Sequence, residues 1–296
     1  MDVAVFAISE FAPAKINLAL HVTGRRPDGY HLLETLVVFA GIGDRVRVQP
    51  SARDRFSVEG PFSGDLPAKD CNLATRARNL LRAHCISRLG AEAPPVFIHL
   101  EKNLPVASGI GGGSSDAAAT LKALNRAWRL GLSPDRLAEL SGPLGADLPM
   151  CIHARPLIAR GAGEQTEPFT GLPFLNMVLV NPGVPVSTPE VFRTLASREN
   201  APMPRVPAGA DFDAFANWLA ATRNDLEMPA IAIAPPIARA LSALRASGAA
   251  IARMSGSGAT CFGLFSDRAS AEAAARSISQ AEPGWFVSAT QSMMPT

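Results

Sequence analysis

The chain has 296 residues, 47% of them hydrophobic and 18% charged, with a formal net charge of +2 at pH 7. That length supports a substantial core and two domains of ordinary size. The near-balanced charge is too mild to argue for a nucleic-acid or membrane-surface binder, where a basic stripe or block is expected, and no apolar run approaches the roughly 18 residues of a membrane span. The opening MDVAVFAISEFAPAK has no basic n-region, so a secretory signal is not expected. Cys71, Cys85, Cys151 and Cys261 are scattered without a CxxC motif, which suits a reducing compartment and a cytoplasmic protein. Cys151 and His153 are close in sequence but make only two of the four ligands of a structural zinc site.

In chain order, the spacing predicts strands first: AKINLALHV (Ala14 to Val22), HLLETLVVFA (His31 to Ala40) and DRVRVQP (Asp44 to Pro50), separated by glycine turns. In the first, Ala14, Ile16, Leu18 and Leu20 share one face, so Lys15 and Asn17 point together from the other. A lysine there is either solvated or aimed at a ligand. Between the first two strands, PDG supplies a turn and DGYH presents Tyr30 and His31. Arg25 and Arg26 beside that turn are solvated or face phosphates. A helix over about Asn72 to Leu89 follows, then the alternating strand VFIHL (Val96 to Leu100).

The next stretch, LPVASGIGGGSSDAA (Leu104 to Ala118), crowds glycines and serines between that strand and a helix reading from Ala117 to Trp128. Gly109, Gly111, Gly112 and Gly113 allow close backbone approach to a ligand, and Ser114 or Ser115 is placed to cap the helix, whose first N–H groups attract an anion. A nucleotide triphosphate fits such a turn. The Walker A pattern is absent, since no lysine follows the glycines, and GxGxxG fails because Ser114 stands where the third glycine belongs. A ligand-free strand-to-helix connection is the alternative.

Beyond it, Ser133 predicts the cap of a short helix. Asp147 in LGADLPMCI stands ahead of a strand expected to begin at Pro149, where an Asx turn is its ordinary use. A proline-rich segment contains a short helix over Pro189 to Leu195. Helices at Asp211 to Ala221 and Ile237 to Ser247 then alternate with strands Ala250 to Met254 and Ala259 to Phe265, followed by a helix from about Asp267 and a strand near Phe286. The turn in MSGSGATCF reads as a hairpin. This order predicts an α+β sandwich with one sheet covered on one side, divided into residues 1–160 and 161–296.

The pattern PxxxG[LI]GxS[SA], matched by Pro105, Gly109, Ile110, Gly111 and Ser114, resembles the central motif of the GHMP kinases, the superfamily named after galactokinase, homoserine kinase, mevalonate kinase and phosphomevalonate kinase. MSGSGA resembles the third motif of that superfamily, while PAKINL resembles the first motif of its diphosphocytidyl-methylerythritol kinases and GADLP the context of the family's catalytic aspartate, in order along nearly the whole chain. The resemblance implies a two-domain α+β fold, its N-terminal domain of the ribosomal protein S5 domain 2-like type and its C-terminal domain a ferredoxin-like α/β sandwich. It implies that Pro105, Val106, Ala107, Ser108, Gly109, Ile110, Gly111, Gly112, Gly113, Ser114 and Ser115 wrap the triphosphate of ATP, accompanied by Mg2+, with no metal ligands assigned. Asp147 is then the catalytic base and Lys15 its electrostatic partner.

TGRRPDGYHLLETL (Thr23 to Leu36) is more specific, and resembles the diphosphocytidyl-methylerythritol kinases of that superfamily. There Tyr30 is implied to stack on cytosine, His31 to hydrogen-bond it and Phe192 to cover its other side, with Thr188 and Asn17 in the substrate site. The implied acceptor is the 2-hydroxyl of a small cytidyl diphosphate methylerythritol substrate, and the implied protein is a monomer or homodimer. Homoserine-type and mevalonate-type kinases are the nearest alternatives, and DGYH argues against them. Asp116 is expected to favour the helix N-terminus rather than to hold magnesium. Asn224 and Asp225 carry no readable chemistry.

Overall fold

The computed structural model describes residues 7–66, 72–90 and 92–293, so Cys71 lies outside the described residues. The chain forms two compact units that interleave along the sequence. The first comprises residues 1–14, 42–106 and 111–154, and the second residues 15–41, 107–110 and 155–296. Two strands belong in part to each: β1 (Ile8–Arg25) and β2 (His31–Pro50). β2 replaces the two strands predicted over 31–40 and 44–50, because extended backbone runs through the glycines that suggest a turn. At Gly43 the reason for glycine is close approach, since a Cβ would collide with the Ala12 carbonyl.

In the first unit, the end of β2 pairs antiparallel with β4 (Val96–Glu101), Arg45 opposite Glu101. β3 (Arg55–Glu59) adds to β4 in parallel, a strand the sequence did not signal. β4 buries Val96, Ile98 and Leu100 and half-buries the residues between, as a period of two requires. The helix α1 (Leu73–His84) starts where predicted, with the Asn72 side chain accepting the Ala74 N–H, and continues as a π-helical turn over Cys85–Leu89. It packs against α2 (Gly112–Ala127). α3 (Pro134–Ser141) is capped by Ser133 through the Arg136 N–H, again as expected.

α4 (Leu148–His153) corrects the strand expected from Pro149. Proline in a first turn has the helical φ already set and lacks only an N–H that the turn leaves unused. The helix buries Leu148, Met150, Cys151 and Ile152.

In the second unit, β5 (Leu157–Gly161) pairs antiparallel with the start of β2, Leu33 opposite Gly161, and β6 (Gln165–Pro168) pairs with β5. The single sheet of the expected sandwich is also corrected here, because a separate antiparallel sheet follows. It comprises β7 (Asn176–Asn181), β8 (Ile251–Met254), β9 (Cys261–Phe265) and β10 (Phe286–Gln291), in the order β10-β7-β9-β8. Shorter helices α5 (Thr188–Arg193), α6 (Phe212–Ala220) and α7 (Glu227–Ile233) precede α8 (Pro236–Ala246) and α9 (Arg268–Ala281). α8 and α9 pack against each other and against this sheet. Ala271, Ala274, Ala275 and Ile278 recur at helical spacing on α9 and join Val178, Val180, Ile237, Leu241 and Leu244 in one core.

Asn224 and Asp225, unreadable in the sequence, act as backbone clips in this unit. Asn224 Nδ2 donates to the Met254 and Gly256 carbonyls, each at 2.8 Å, and Asp225 accepts the Val22 N–H at 2.7 Å. Nearby, the buried Arg253 guanidinium donates to the carbonyls of Leu18, Leu219 and Thr222 and to the Thr222 hydroxyl. Burial, partly offset by Glu227, lowers Arg253 to about 10, which still leaves it charged at neutral pH.

Candidate active site

The glycine-rich turn begins where β4 ends. Its stretch Ala107–Ile110 belongs to the second unit, where three consecutive carbonyls are fastened. Ser108 O accepts the Thr260 N–H at 3.1 Å, Gly109 O accepts the Ser255 hydroxyl at 2.9 Å, and Ile110 O accepts the Lys15 N–H at 2.8 Å. In a planar trans peptide the N–H points opposite to its C=O. Within the second unit, the N–H groups of Gly109 and Ile110 therefore each point away from the partner of the preceding carbonyl. Gly109 has φ 75°, and any Cβ on it would collide with the Ser255 carbonyl. The predicted MSGSGA hairpin therefore forms, with Met254 opposite Cys261, and its turn supports this stretch as well.

In the first unit, Gly111 is the N-cap of α2 with φ 65° and no side-chain cap. This corrects the capping role expected of Ser114 or Ser115: the Ser115 hydroxyl donates instead to Pro13 O at 2.7 Å. The first helical bond runs from Ser115 N to Gly111 O. The N–H groups of Gly112, Gly113 and Ser114 precede it and have no intrahelical acceptor. The two glycines differ. A Cβ on Gly112 would stand 3.1 Å from Lys102 Nζ, tighter than ordinary contact, whereas one on Gly113 would meet only Leu73 at 3.5 Å. Nothing in the fold demands glycine at 113.

Lys102 is a residue the sequence reading missed. Its ammonium is 1% exposed and bonded to both Asp44 and Asp116, the latter at 2.8 Å. Asp116 thus faces a lysine rather than its own helix N-terminus, and its Oδ1 is buried without a partner. Burial pushes Asp116 up to about 8, Lys102 opposing this and Asp44 reinforcing it. Burial alone would lower Lys102, but Asp116 and Asp44 outweigh it and raise the ammonium. Only the KxLP spacing next to an aspartate that follows the serines could have hinted at the cluster. Among the described residues no group of three or more His, Cys, Asp or Glu side chains could hold a metal ion.

Asp147 lies half-buried at the N-cap position of α4. In the second unit, Lys15 is 5% exposed on β1, so it is not the solvated lysine of the ordinary case. Asn17 donates to the Thr35 hydroxyl at 2.8 Å and its N–H to Ser255 Oγ at 3.1 Å. Thr188 and Ser257 share a 2.7 Å hydroxyl bond. Phe192 stacks on His31, centroids 4.7 Å apart. Tyr30 beside them is 64% exposed. Burial, then Arg25 and Arg198, push the His31 imidazole below its usual range, so the ring is neutral at pH 7. Its Nε2 is buried with no hydrogen-bond partner.

A glycine-rich turn opening a helix with free first-turn N–H groups, on an α+β fold of this kind, suits a phosphate-transferring enzyme of the small-molecule kinase class. Residues 72–155 match the GHMP kinases N terminal domain and residues 208–284 the GHMP kinases C terminal domain. The chain belongs to the GHMP kinase family. It is 55% identical over 284 residues to a 4-diphosphocytidyl-2-C-methyl-D-erythritol kinase of Brucella melitensis, covering 95% of this chain and 93% of that one. A protein of the same name from Mesorhizobium japonicum is 50% identical, over 99% and 98% of the two chains. A crystal structure of 4-(cytidine 5'-diphospho)-2C-methyl-D-erythritol kinase superposes with a TM-score of 0.78 at 33% identity, covering 96% of this chain and 99% of that one. The homoserine kinase of Cytophaga hutchinsonii shares the fold, with a TM-score of 0.72 at 17% identity over 99% and 96% of the chains.

Two predictions follow from the first unit. Gly113→Ala relieves an unneeded helix glycine, so the ligand-free protein should gain up to about 1 kcal/mol in denaturant unfolding, while its ATP affinity falls. Unchanged ATP affinity would show that the glycine is not kept for the ligand. The second concerns pH. The unfolded chain ionises Asp116 near 3.8, the folded chain only near about 8. Between those values the native state holds a proton the unfolded state has lost, so this group's contribution is full below the lower value and declines up to the higher. The melting temperature of Asp116→Asn should therefore rise relative to the parent from about pH 5 to about pH 8 and level off above. A difference that stays flat with pH would mean Asp116 titrates normally.

Proposed function

We infer that this chain transfers the γ-phosphate of ATP to the 2-hydroxyl of 4-diphosphocytidyl-2-C-methyl-D-erythritol, a step of the non-mevalonate route to isoprenoid precursors. The observation that carries the acceptor assignment is His31: a neutral imidazole in DGYH, stacked on Phe192, with a buried Nε2 that has no partner. A buried polar atom left unpaired is costly, and a pyrimidine base edge would satisfy it. The exposed Tyr30 ring supplies a stacking face for that base, and Phe192 orients the imidazole. Thr188 and Asn17 complete the acceptor site, their side chains already held by Ser257 and Thr35.

The triphosphate lies along Pro105 to Ser115. The N–H groups turned out by the fastened carbonyls, and those of the first turn of α2, give the phosphoryl oxygens donors that need no reorganisation during transfer. Asp147 takes the proton from the acceptor hydroxyl as its oxygen bonds to the γ-phosphorus and the bond to the β–γ bridging oxygen breaks, releasing ADP. The Lys15 ammonium stabilises the charge that develops on the transferred group. Mg2+ would be held by the nucleotide's phosphates rather than by this chain's buried acids, since the Asp44 and Asp116 side chains are already taken by Lys102. It supplies charge neutralisation at the phosphates, which is how this ion is ordinarily held when a protein offers few ligands.

The three described cysteines are buried and unbridged, which accords with a cytoplasmic enzyme. No helix among the described residues is long and apolar enough to cross a membrane. The two matched family regions fall on either side of residue 160, which supports taking 1–160 and 161–296 as the family's two domains.

Asp147→Asn should lower kcat by roughly 10² to 10⁴ while ATP still binds. A kcat within about threefold of the parent would remove Asp147 from the mechanism. His31→Ala should weaken the cytidyl substrate by about 1 to 3 kcal/mol, or roughly five- to 150-fold, and leave ATP affinity unchanged. Normal binding of the cytidyl substrate by a folded His31→Ala protein, measured by calorimetry, would reassign the acceptor.

A further inference from the structure

We propose that Lys102, held between Asp44 and Asp116, is a positioning residue that fixes both ends of the glycine-rich turn and so sets its register on the triphosphate. The proposal rests on the reading of that turn as the ATP cradle. Lys102 follows β4 directly, Asp44 lies on β2 and Asp116 lies one turn into α2, so one ammonium joins three elements of the first unit. Asp44 does more than pair with it: its Oδ1 accepts the N–H groups of Asn103 at 2.6 Å and Leu104 at 2.8 Å, fastening the chain as it enters the turn. At the exit, a Cβ on Gly112 would stand 3.1 Å from the ammonium and 4.0 Å from Leu104 Cβ. Entry and exit are thus drawn against the same charge.

The arrangement is expensive. A lysine beneath the positive end of a helix is unfavourable, and two buried carboxylates around it leave one oxygen, Asp116 Oδ1, unsatisfied. Apolar side chains of similar volume often give equal or greater stability at such sites. What they cannot give is directional bonds that hold the first turn of α2 at a fixed distance from the strand exit. Small displacements of donors are costly to binding and rate, since a shift of about 1 Å is worth up to about 100-fold.

The test measures ATP and cytidyl-substrate affinities, with KM for each, on the full-length Lys102→Met, Asp116→Ala, Asp116→Asn and Gly113→Ala proteins. Lys102→Met should weaken ATP roughly 10- to 100-fold and raise KM for ATP, with the cytidyl substrate unmoved. A folded Lys102→Met protein that binds ATP within about threefold of the parent would overturn the proposal. Should that variant fail to fold, the Asp116 pair decides. Asp116→Asn keeps an acceptor oxygen for Lys102 and should bind ATP more tightly than Asp116→Ala by about tenfold, whereas equal affinities overturn the proposal. Gly113→Ala separates the two readings. If it weakens ATP while the Lys102 and Asp116 variants do not, the cradle stands and the clamp fails. If none of the four alters ATP affinity, the cradle itself is misassigned and the clamp falls with it.

Discussion

Three carbonyls in a row, those of Ser108, Gly109 and Ile110, are hydrogen-bonded to Thr260, Ser255 and Lys15. Peptide planarity converts that fact about acceptors into one about donors. The backbone cannot place its carbonyls in the second unit without presenting the following N–H groups to the opposite side. Backbone donors held in this way suit the anion proposed for the turn, and no side chain would have to supply the charge. The serines of MSGSGA matter in this light for their oxygen atoms, because Ser255 bonds both Gly109 O and the Asn17 N–H.

The sequence was most legible where a single residue type meets a local backbone demand. Asn72, Ser133, Asp211 and Asp267 each cap the helix that was read from them, by accepting an N–H two or three residues on. Turn glycines were legible for the same reason. The errors arose where tertiary contact overrides local preference. Glycine at 41 and 43 suggests a turn, yet β2 passes through, because Gly43 is needed for the approach of Ala12. Pro149 in an apolar run suggests the start of a strand, yet burying Leu148, Met150, Cys151 and Ile152 on a helix wins.

Of the candidate site, the glycine turn and DGYH stand out in the sequence because their residue types are rare in that density. The Lys102 cluster does not, since its members lie 58 and 14 residues apart and each looks like an ordinary surface charge when read singly. Asn224 and Asp225 were equally opaque. No chemistry is readable for them in the sequence, and in the structure their side chains bond to the Met254, Gly256 and Val22 backbone. Arg253 belongs with them: its fork of donors reaches three carbonyls at once, a task for which a lysine point charge has the wrong shape.

The four glycines of the turn therefore have four different causes. Gly109 is fixed by a positive φ and by the Ser255 carbonyl, Gly111 by the left-handed conformation of the helix N-cap, and Gly112 by the ammonium of Lys102. Gly109 and Gly111 are held to glycine by their backbone, and Gly112 is disfavoured for a larger residue by the pinned ammonium. Gly113 has a helical backbone and room for a methyl group, and a helix glycine costs up to about 1 kcal/mol relative to alanine. Of the four glycines, Gly113 is thus the one that no contact within the described protein explains, which is why its replacement by alanine separates a demand of the fold from the proposed demand of a ligand.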